Sequence, residues 1–312
     1  MVSNGPIHKC RARGREAAID NHGTDMKLPV VLTLIRPRQW VKNVFVFAPI
    51  FFSPTLSRES AFADVTLMFI AFCLVASGIY CFNDYWDRES DILHPTKKLR
   101  PVAAGDVSPT FALTVYVVLS SGGIALAFAM TAGGWVILTY FILTSLYTLI
   151  LKRYAIIDVL TIALGFVLRI EAGAAAAEMQ PTVWILVCTG MLALFIALTK
   201  RRDDLTQALD NSHRESLGGY SAAFLDAAFI MVSTALSASY VVFTTDADAM
   251  ARLGSDRLYF TIPFVVAGIL RQLQLTMVFK KSGSPTELAL TDPFLITCTL
   301  GWLGAFTVLM YS

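Results

Sequence analysis

Cysteine and histidine are scarce in this chain. The five cysteines, Cys10, Cys73, Cys81, Cys188 and Cys298, stand at irregular spacing with no CxxC pair. This excludes a disulfide framework and a cysteine-built zinc site. They read as small packing residues, four of them inside apolar runs. The four histidines, His8, His22, His94 and His213, form no Ser/His/Asp order. No Walker A loop occurs, nor a GxGxxG followed by an acidic residue, so the common nucleotide-binding loops are excluded. Charge is scarce too. Only 15% of the 312 residues are charged and 55% are hydrophobic, whereas a soluble domain carries about 25% charged residues. An ordinary soluble fold is excluded, and a polytopic all-α membrane protein in a lipid bilayer is expected.

Residues 1–34 are polar and basic, with no apolar core and no small-residue cleavage site. They do not read as a signal peptide; they read as a disordered cytoplasmic tail. Residues 35–312 then form one transmembrane domain. A spanning helix needs roughly 20 mostly apolar residues. Nine stretches qualify as candidates, at about 40–56, 61–82, 110–130, 134–151, 155–177, 181–199, 222–244, 258–279 and 292–311. The first is short and contains Pro49; the fifth is interrupted by Arg169 and Glu171.

Basic residues set the expected orientation. They crowd into the N-terminal tail and into the connections at 83–109, 152–153, 200–221 and 280–291. The opposite side holds only Arg58, Arg252 and Arg257. The expected bundle has nine spans, with a cytoplasmic N-terminus and a C-terminus on the opposite, periplasmic side.

One stretch does more than turn the chain around. "NDYWDRESDILHPTKKLRP" (Asn83–Pro101) lies between two apolar runs. At 100° per residue from Asn83, Asp87 falls near 40°, Asp91 near 80° and Asp84 near 100°. A helix continuing past the membrane puts all four on one stripe. Oxygen ligands so gathered suit Mg²⁺, which takes one or two carboxylates, waters and substrate phosphates. Against this stands the plainer possibility of a solvated helix end with scattered acids.

Basic strings surround it: "RPRQWVKN" before the first candidate span, "KKLRP" after the acids, "LKRY" after the fourth span and "TKRRDD" after the sixth. Positive-inside charge accounts for part of this, and Arg202, Lys280 and Lys281 need nothing more. A pocket for a diphosphate leaving group accounts for the rest. Arg36 or Arg38 could equally anchor to headgroups beside Trp40. Arg169 lies about 11 residues into its span, up to ~16 Å from the end. It must line a polar cavity or meet a polar group on another span. Arg271 is read as structural.

"NDYWDRESD" resembles the first aspartate-rich motif, NDxxDxxxD, of the UbiA superfamily of intramembrane prenyltransferases. The resemblance covers about residues 33–311 and implies a nine-helix bundle that binds a diphosphate donor through Mg²⁺. "IRPRQWVKN", "HPTKKLRPVAAG", "LKRYAIIDV", "LRIEAG" and "ESLGGYS" are similar to the decaprenyl-phosphate phosphoribosyltransferase branch. That branch includes rhizobial nodulation proteins tied to arabinosylation of Nod factors. The prenyl-transferring members carry a second DxxxD motif after the sixth span. Here "KRRDDLTQALD" lacks that spacing, which suits a sugar donor carrying its own 5-phosphate.

The resemblance implies transfer of 5-phosphoribose from phosphoribosyl diphosphate to a polyprenyl phosphate. Asn83, Asp84, Asp87 and Asp91 are the expected metal ligands. Asp84, Asp87 and Lys152 are the expected catalytic groups. Lys42, Tyr80, Lys97, Arg100, Lys152, Arg169 and Lys200 are the expected substrate contacts. Nucleic acid is not an expected partner, and self-association into a homo-oligomer stays open. One alternative is prenyl transfer to an aromatic acceptor; another is a non-catalytic phospholipid-binding or transport protein.

Overall fold

The computed structural model describes residues 28–53, 59–130, 133–208, 215–279, 288–289 and 291–311. Every regular element among them is helical. In chain order these are α1 (Leu28–Ile35), a 3₁₀ segment (Pro37–Phe47), α2 (Ala48–Phe51), α3 (Glu59–Trp86) and α4 (Arg88–Leu93). Then come α5 (Pro109–Met130), α6 (Gly134–Leu149), α7 (Ile157–Ala176), α8 (Val183–Ala208), α9 (Ala222–Thr245) and α10 (Ala247–Leu253). The last two are α11 (Ile262–Met277) and α12 (Pro293–Tyr311).

Seven of these, α3, α5, α7, α8, α9, α11 with its leading 3₁₀ turn, and α12, are long and apolar enough to cross a membrane. Helix α6 is apolar but has only 16 residues. The candidate first span at 40–56 is not a single α-helix. It is the 3₁₀ segment followed by the four-residue α2. At three residues per turn, Trp40, Asn43 and Val46 share one row, and Asn43 and Val46 are buried. Pro49 sits in the first turn of α2, where its missing N–H costs nothing.

The tail reading also needs correction at its end. Leu28–Ile35 is helical, and Leu34 is fully buried with Cys81, Val102, Val107 and Ala112. Residues 1–27 lie outside the described residues, as do Arg58, Arg214, Lys280 and Lys281.

Helices α3 and α7 form the centre. Helices α7 and α12 are equally apolar, yet 56% of the α7 window is buried against 22% for α12; α3 is 61% buried and α5 22%. A helix apolar on all faces is stable only inside a protein or in lipid, so the outer faces of α5 and α12 belong to the bilayer. The 3₁₀ segment lies against both α3 and α7. Gly173 of α7 permits this: a Cβ there would stand 1.8 Å from the Val46 carbonyl oxygen. Short connections bring the ends of α3, α6 and α8 to the same end of the bundle as the starts of α7 and α9. Ion pairs of Asp87 with Lys152 and of Asp158 with Arg201 join them there.

Candidate functional site

The site starts at the junction of α1 and the 3₁₀ segment. Trp40 Nε1 donates to Ser77 Oγ at 3.0 Å, and Ser77 Oγ donates to the Ile35 carbonyl at 2.9 Å. These bonds fasten the junction to α3. Arg36 sits there with φ 53° and ψ 60°, in the left-handed region that a side chain rarely adopts. Its guanidinium reaches Asp84 and lies 5.2 Å from the Tyr80 ring centroid. Arg36 is thus a partner of the acidic motif rather than a headgroup anchor.

The expected stripe of four oxygen ligands divides in two. The α-helix is broken at Asp87, whose φ of −90° and ψ of 3° separate α3 from α4. Asp84 and Asp91 turn to the arginines: Arg100 Nη1 lies 2.7 Å from Asp91 Oδ2 and 3.4 Å from Asp84 Oδ1. Asp87 turns instead to Lys152, in the 3₁₀ turn Leu151–Arg153 after α6. Among the described residues, no three His, Cys, Asp or Glu side chains converge to hold a metal ion. The attraction of each carboxylate to a neighbouring cation opposes the convergence that the angular spacing suggested.

The residues nevertheless fit Mg²⁺ of the kind that substrate phosphates help to bind. Asp84 Oδ2 is buried and has no hydrogen-bond partner, a costly state for a carboxylate oxygen. Asn83 and Asp87 stand within a turn of it and are only partly buried. Two carboxylates and an amide oxygen are a suitable protein share for an ion that keeps waters and phosphate oxygens as its other ligands. Asp91, tied to Arg100, is a support of this group.

Cations gather behind the acids. Lys42, in the 3₁₀ segment, is within electrostatic reach of Lys200, Arg169 and Arg36. It has no carboxylate partner among the described residues. Positive charge concentrated around Lys42 favours the approach of an anion to it. Lys97 lies at the rim, half-exposed, its backbone N–H on His94 Nδ1 at 3.3 Å. Lys200 is exposed, about two turns before the end of α8.

Arg169 is placed differently from a substrate contact. It is 5% exposed. Its Nε donates to Asn43 Oδ1 at 2.9 Å, Nη1 to the Gly165 carbonyl at 2.7 Å and Nη2 to Tyr140 Oη at 3.0 Å. The aromatic rings of Tyr140, Phe166 and Phe72 surround it at 4.8, 5.3 and 5.5 Å. Of the two sequence readings, the structure presents a polar tie between spans. Arg271 is likewise tied, to Asp292 at 2.8 Å between α11 and α12. Arg202, read as a topology signal, binds Asp226 of α9 and donates to the Thr276 carbonyl of α11 at 2.9 Å.

A second network escaped the sequence reading. Asp158, at the start of α7, is fully buried. It accepts from Arg201 Nε at 2.7 Å, Tyr220 Oη at 2.7 Å, Ser216 Oγ at 3.3 Å and the Val159 N–H at 2.8 Å. Arg201 also reaches Asp204 at 2.5 Å. Burial and donation to Asp158 push the Tyr220 phenol above its ordinary range, so it remains a donor at neutral pH. The one available signal was a lone aspartate opening an apolar run, which must find partners.

A helical, multi-pass membrane protein with carboxylates and cations gathered at one end is a class suited to handling phosphorylated substrates beside lipid. The chain belongs to the UbiA prenyltransferase family, whose model matches residues 44–298. It is 32% identical over 295 residues to the decaprenyl-phosphate phosphoribosyltransferase of Mycolicibacterium smegmatis, covering 90% of this chain and 92% of that protein. Nodulation protein NoeC of Azorhizobium caulinodans is 32% identical over 179 residues, 55% of this chain and 56% of that protein. A UbiA homolog from Archaeoglobus fulgidus bound to DMAPP and Mg²⁺ matches in structure, with TM-score 0.66 at 19% identity, over 90% of this chain and 99% of that one. At that identity the likeness concerns the fold.

Proposed function

We propose that this protein transfers 5-phosphoribose from phosphoribosyl diphosphate to a polyprenyl phosphate, releasing diphosphate. The observation that carries the reading is the set of cations at the acidic motif: Lys152 on Asp87, Arg36 and Arg100 on Asp84, and Lys42 within electrostatic reach of Arg36. Donor and acceptor together bring a diphosphate, a 5-phosphate and a lipid phosphate, and each needs positive charge. The similarity to decaprenyl-phosphate phosphoribosyltransferases over 90% of the chain supports the same substrates. The partial similarity to a nodulation protein is compatible with the use in Nod-factor arabinosylation that the sequence resemblance implies.

In this reaction the ribose C1–O bond to diphosphate breaks and a C1–O bond to the lipid phosphate forms. The acceptor phosphate is already anionic, so no strong general base is required. Lys152, Lys97 and Lys42 bind phosphate oxygens, while Arg100 and Arg36 orient Asp91 and Asp84. Asn83, Asp84 and Asp87 would hold Mg²⁺, which when bound neutralises charge on the leaving diphosphate. Positioning and fixed charge then supply most of the rate. The basic end faces the cytoplasm of a bacterial inner membrane in this reading.

The test is incubation of membranes carrying the protein with labelled phosphoribosyl diphosphate and polyprenyl phosphate. Label in the lipid phase and release of diphosphate are expected. Turnover of a prenyl diphosphate with an aromatic acceptor, and none of the ribosyl donor, replaces this reading with prenyl transfer. Lipid binding without diphosphate release replaces it with a non-catalytic role.

A further inference from the structure

Lys152 is carried by a short turn between α6 and α7, and that turn ends in an unusual conformation. Ile156 has φ 71° and ψ −51°. The Ile157 N–H donates to the Ala155 carbonyl at 2.8 Å. Together these define a γ-turn with positive φ, rare for any side chain and strained for a β-branched one. Such a conformation persists only where the surroundings hold it.

Two observations show what holds it. The Ile156 N–H donates to Tyr220 Oη at 2.6 Å, and Tyr220 Oη donates to the buried Asp158 at 2.7 Å. One hydroxyl therefore links the strained amide to a carboxylate fixed by Arg201 and Ser216. Independently, Gly219 lies so close to the turn that a Cβ there would stand 2.6 Å from Ala155 Cβ. The segment Glu215–Gly219 before α9 is thus docked directly on the turn.

We propose that Tyr220 and Asp158 are positioning residues: they clamp the 151–157 turn so that Lys152 is presented to Asp87 and to the phosphates of the donor. The role assigned to Lys152 rests on the proposed phosphoribosyl transfer, but the clamp itself does not. Neither Tyr220 nor Asp158 touches the reacting atoms; they act through the backbone that carries Lys152. The same clamp links α7, α8 and the start of α9 to the acidic motif on α3. Its effect on the reaction is therefore felt at a side chain four residues from the strained position.

The test compares purified wild type, Y220F, K152A and Y220F/K152A. Phenylalanine keeps the ring and removes only the hydroxyl. Hydrogen–deuterium exchange reads the turn without any substrate, and exchange at the Ile156 amide is expected to rise about tenfold or more in Y220F. Binding of magnesium diphosphate reads the consequence at Lys152. Affinity should fall about tenfold in Y220F and in K152A alone. In the K152A background, Y220F should cost less than about a further twofold, because both changes remove one device. In an I156G background, where glycine takes the positive φ without strain, Y220F should likewise lose its effect. This arm decides the matter if Y220F alone fails to fold. Unchanged exchange at Ile156, or losses that simply multiply in the double variant, would overturn the proposal. Coupled diphosphate binding without ribosyl transfer leaves the clamp standing and removes the functional reading instead.

Discussion

Lys152 forms an ion pair with Asp87 across 65 positions of sequence. The two side chains are 19% and 22% exposed, so the pair is reachable by a ligand yet shielded enough for its charge to count. With substrate present, the same lysine can shift from carboxylate to phosphate without leaving the site. K152A should raise the KM for phosphoribosyl diphosphate by roughly tenfold to a hundredfold, since a charge-assisted contact contributes about 1.5–3 kcal/mol. D87A should lower kcat by about a hundredfold or more, with a normal elution profile. Steady-state kinetics with saturating polyprenyl phosphate separate the two effects. Full activity of D87A in Mg²⁺ buffer would remove the metal assignment.

Arg100 plays a different part from Lys152, although both are basic residues near one motif. It bridges Asp91 and Asp84, whose side chains are 3% and 0% exposed. R100A leaves two buried carboxylates short of a partner, though Arg36 still reaches Asp84. The expected cost is about 3 kcal/mol of stability. R100K should rescue little, because a single ammonium replaces a planar fork. Thermal unfolding in detergent is the measurement. A loss of donor affinity with an unchanged melting temperature would place Arg100 on the substrate.

Much of the bundle was legible because apolar runs are long and their ends are marked by charge. The candidate span at 61–82 corresponds to α3, and that at 222–244 to α9. The 40–56 region was not legible as 3₁₀, because its polar residues look like a weak span rather than a row packed on α7. Within the proposed site, NDxxD and KKLR do lie together, since Arg100 meets Asp84 and Asp91. Which carboxylate meets which cation was beyond reach: Arg36 and Asp84 are 48 positions apart, and Arg201 and Asp158 are 43 apart. Asp158 was not singled out in the sequence, because its partners come from α8 and from the segment before α9. Pairings of that kind depend on the docking of helices, which periodicity does not encode.

Arg169 offers a test between a tie and a substrate contact. Three of its nitrogens already bond to protein groups, joining the 3₁₀ segment, α6 and α7. R169A should therefore destabilise the fold, by about 1.5–3 kcal/mol for each charge-assisted bond that finds no substitute. N43A should reproduce part of the loss, since Asn43 also donates to Cys73 Sγ at 3.3 Å. The check is thermal unfolding without substrate. If R169A melts like wild type and only the donor KM rises, the guanidinium acts on the substrate.

The contact of Gly173 with Val46 gives a prediction independent of chemistry. A methyl group at 173 would meet the Val46 carbonyl oxygen at 1.8 Å, its carbonyl carbon at 2.8 Å and its Cα at 3.2 Å. These are backbone atoms and cannot swing aside as a side chain would. The 3₁₀ segment would have to move away from α7, taking Lys42 and Asn43 with it. G173A should cost at least about 1–3 kcal/mol from overpacking and should also weaken donor binding. G122A is the control, because nothing lies within 4 Å of a Cβ there. On a helix facing lipid that change should be neutral or slightly stabilising. Melting temperatures and diphosphate affinities of the two variants, measured side by side, make the comparison. If G173A matches G122A in both, the 3₁₀ segment does not lie on α7 as described, and the placement of Lys42 beside Arg36 and Lys200 fails with it.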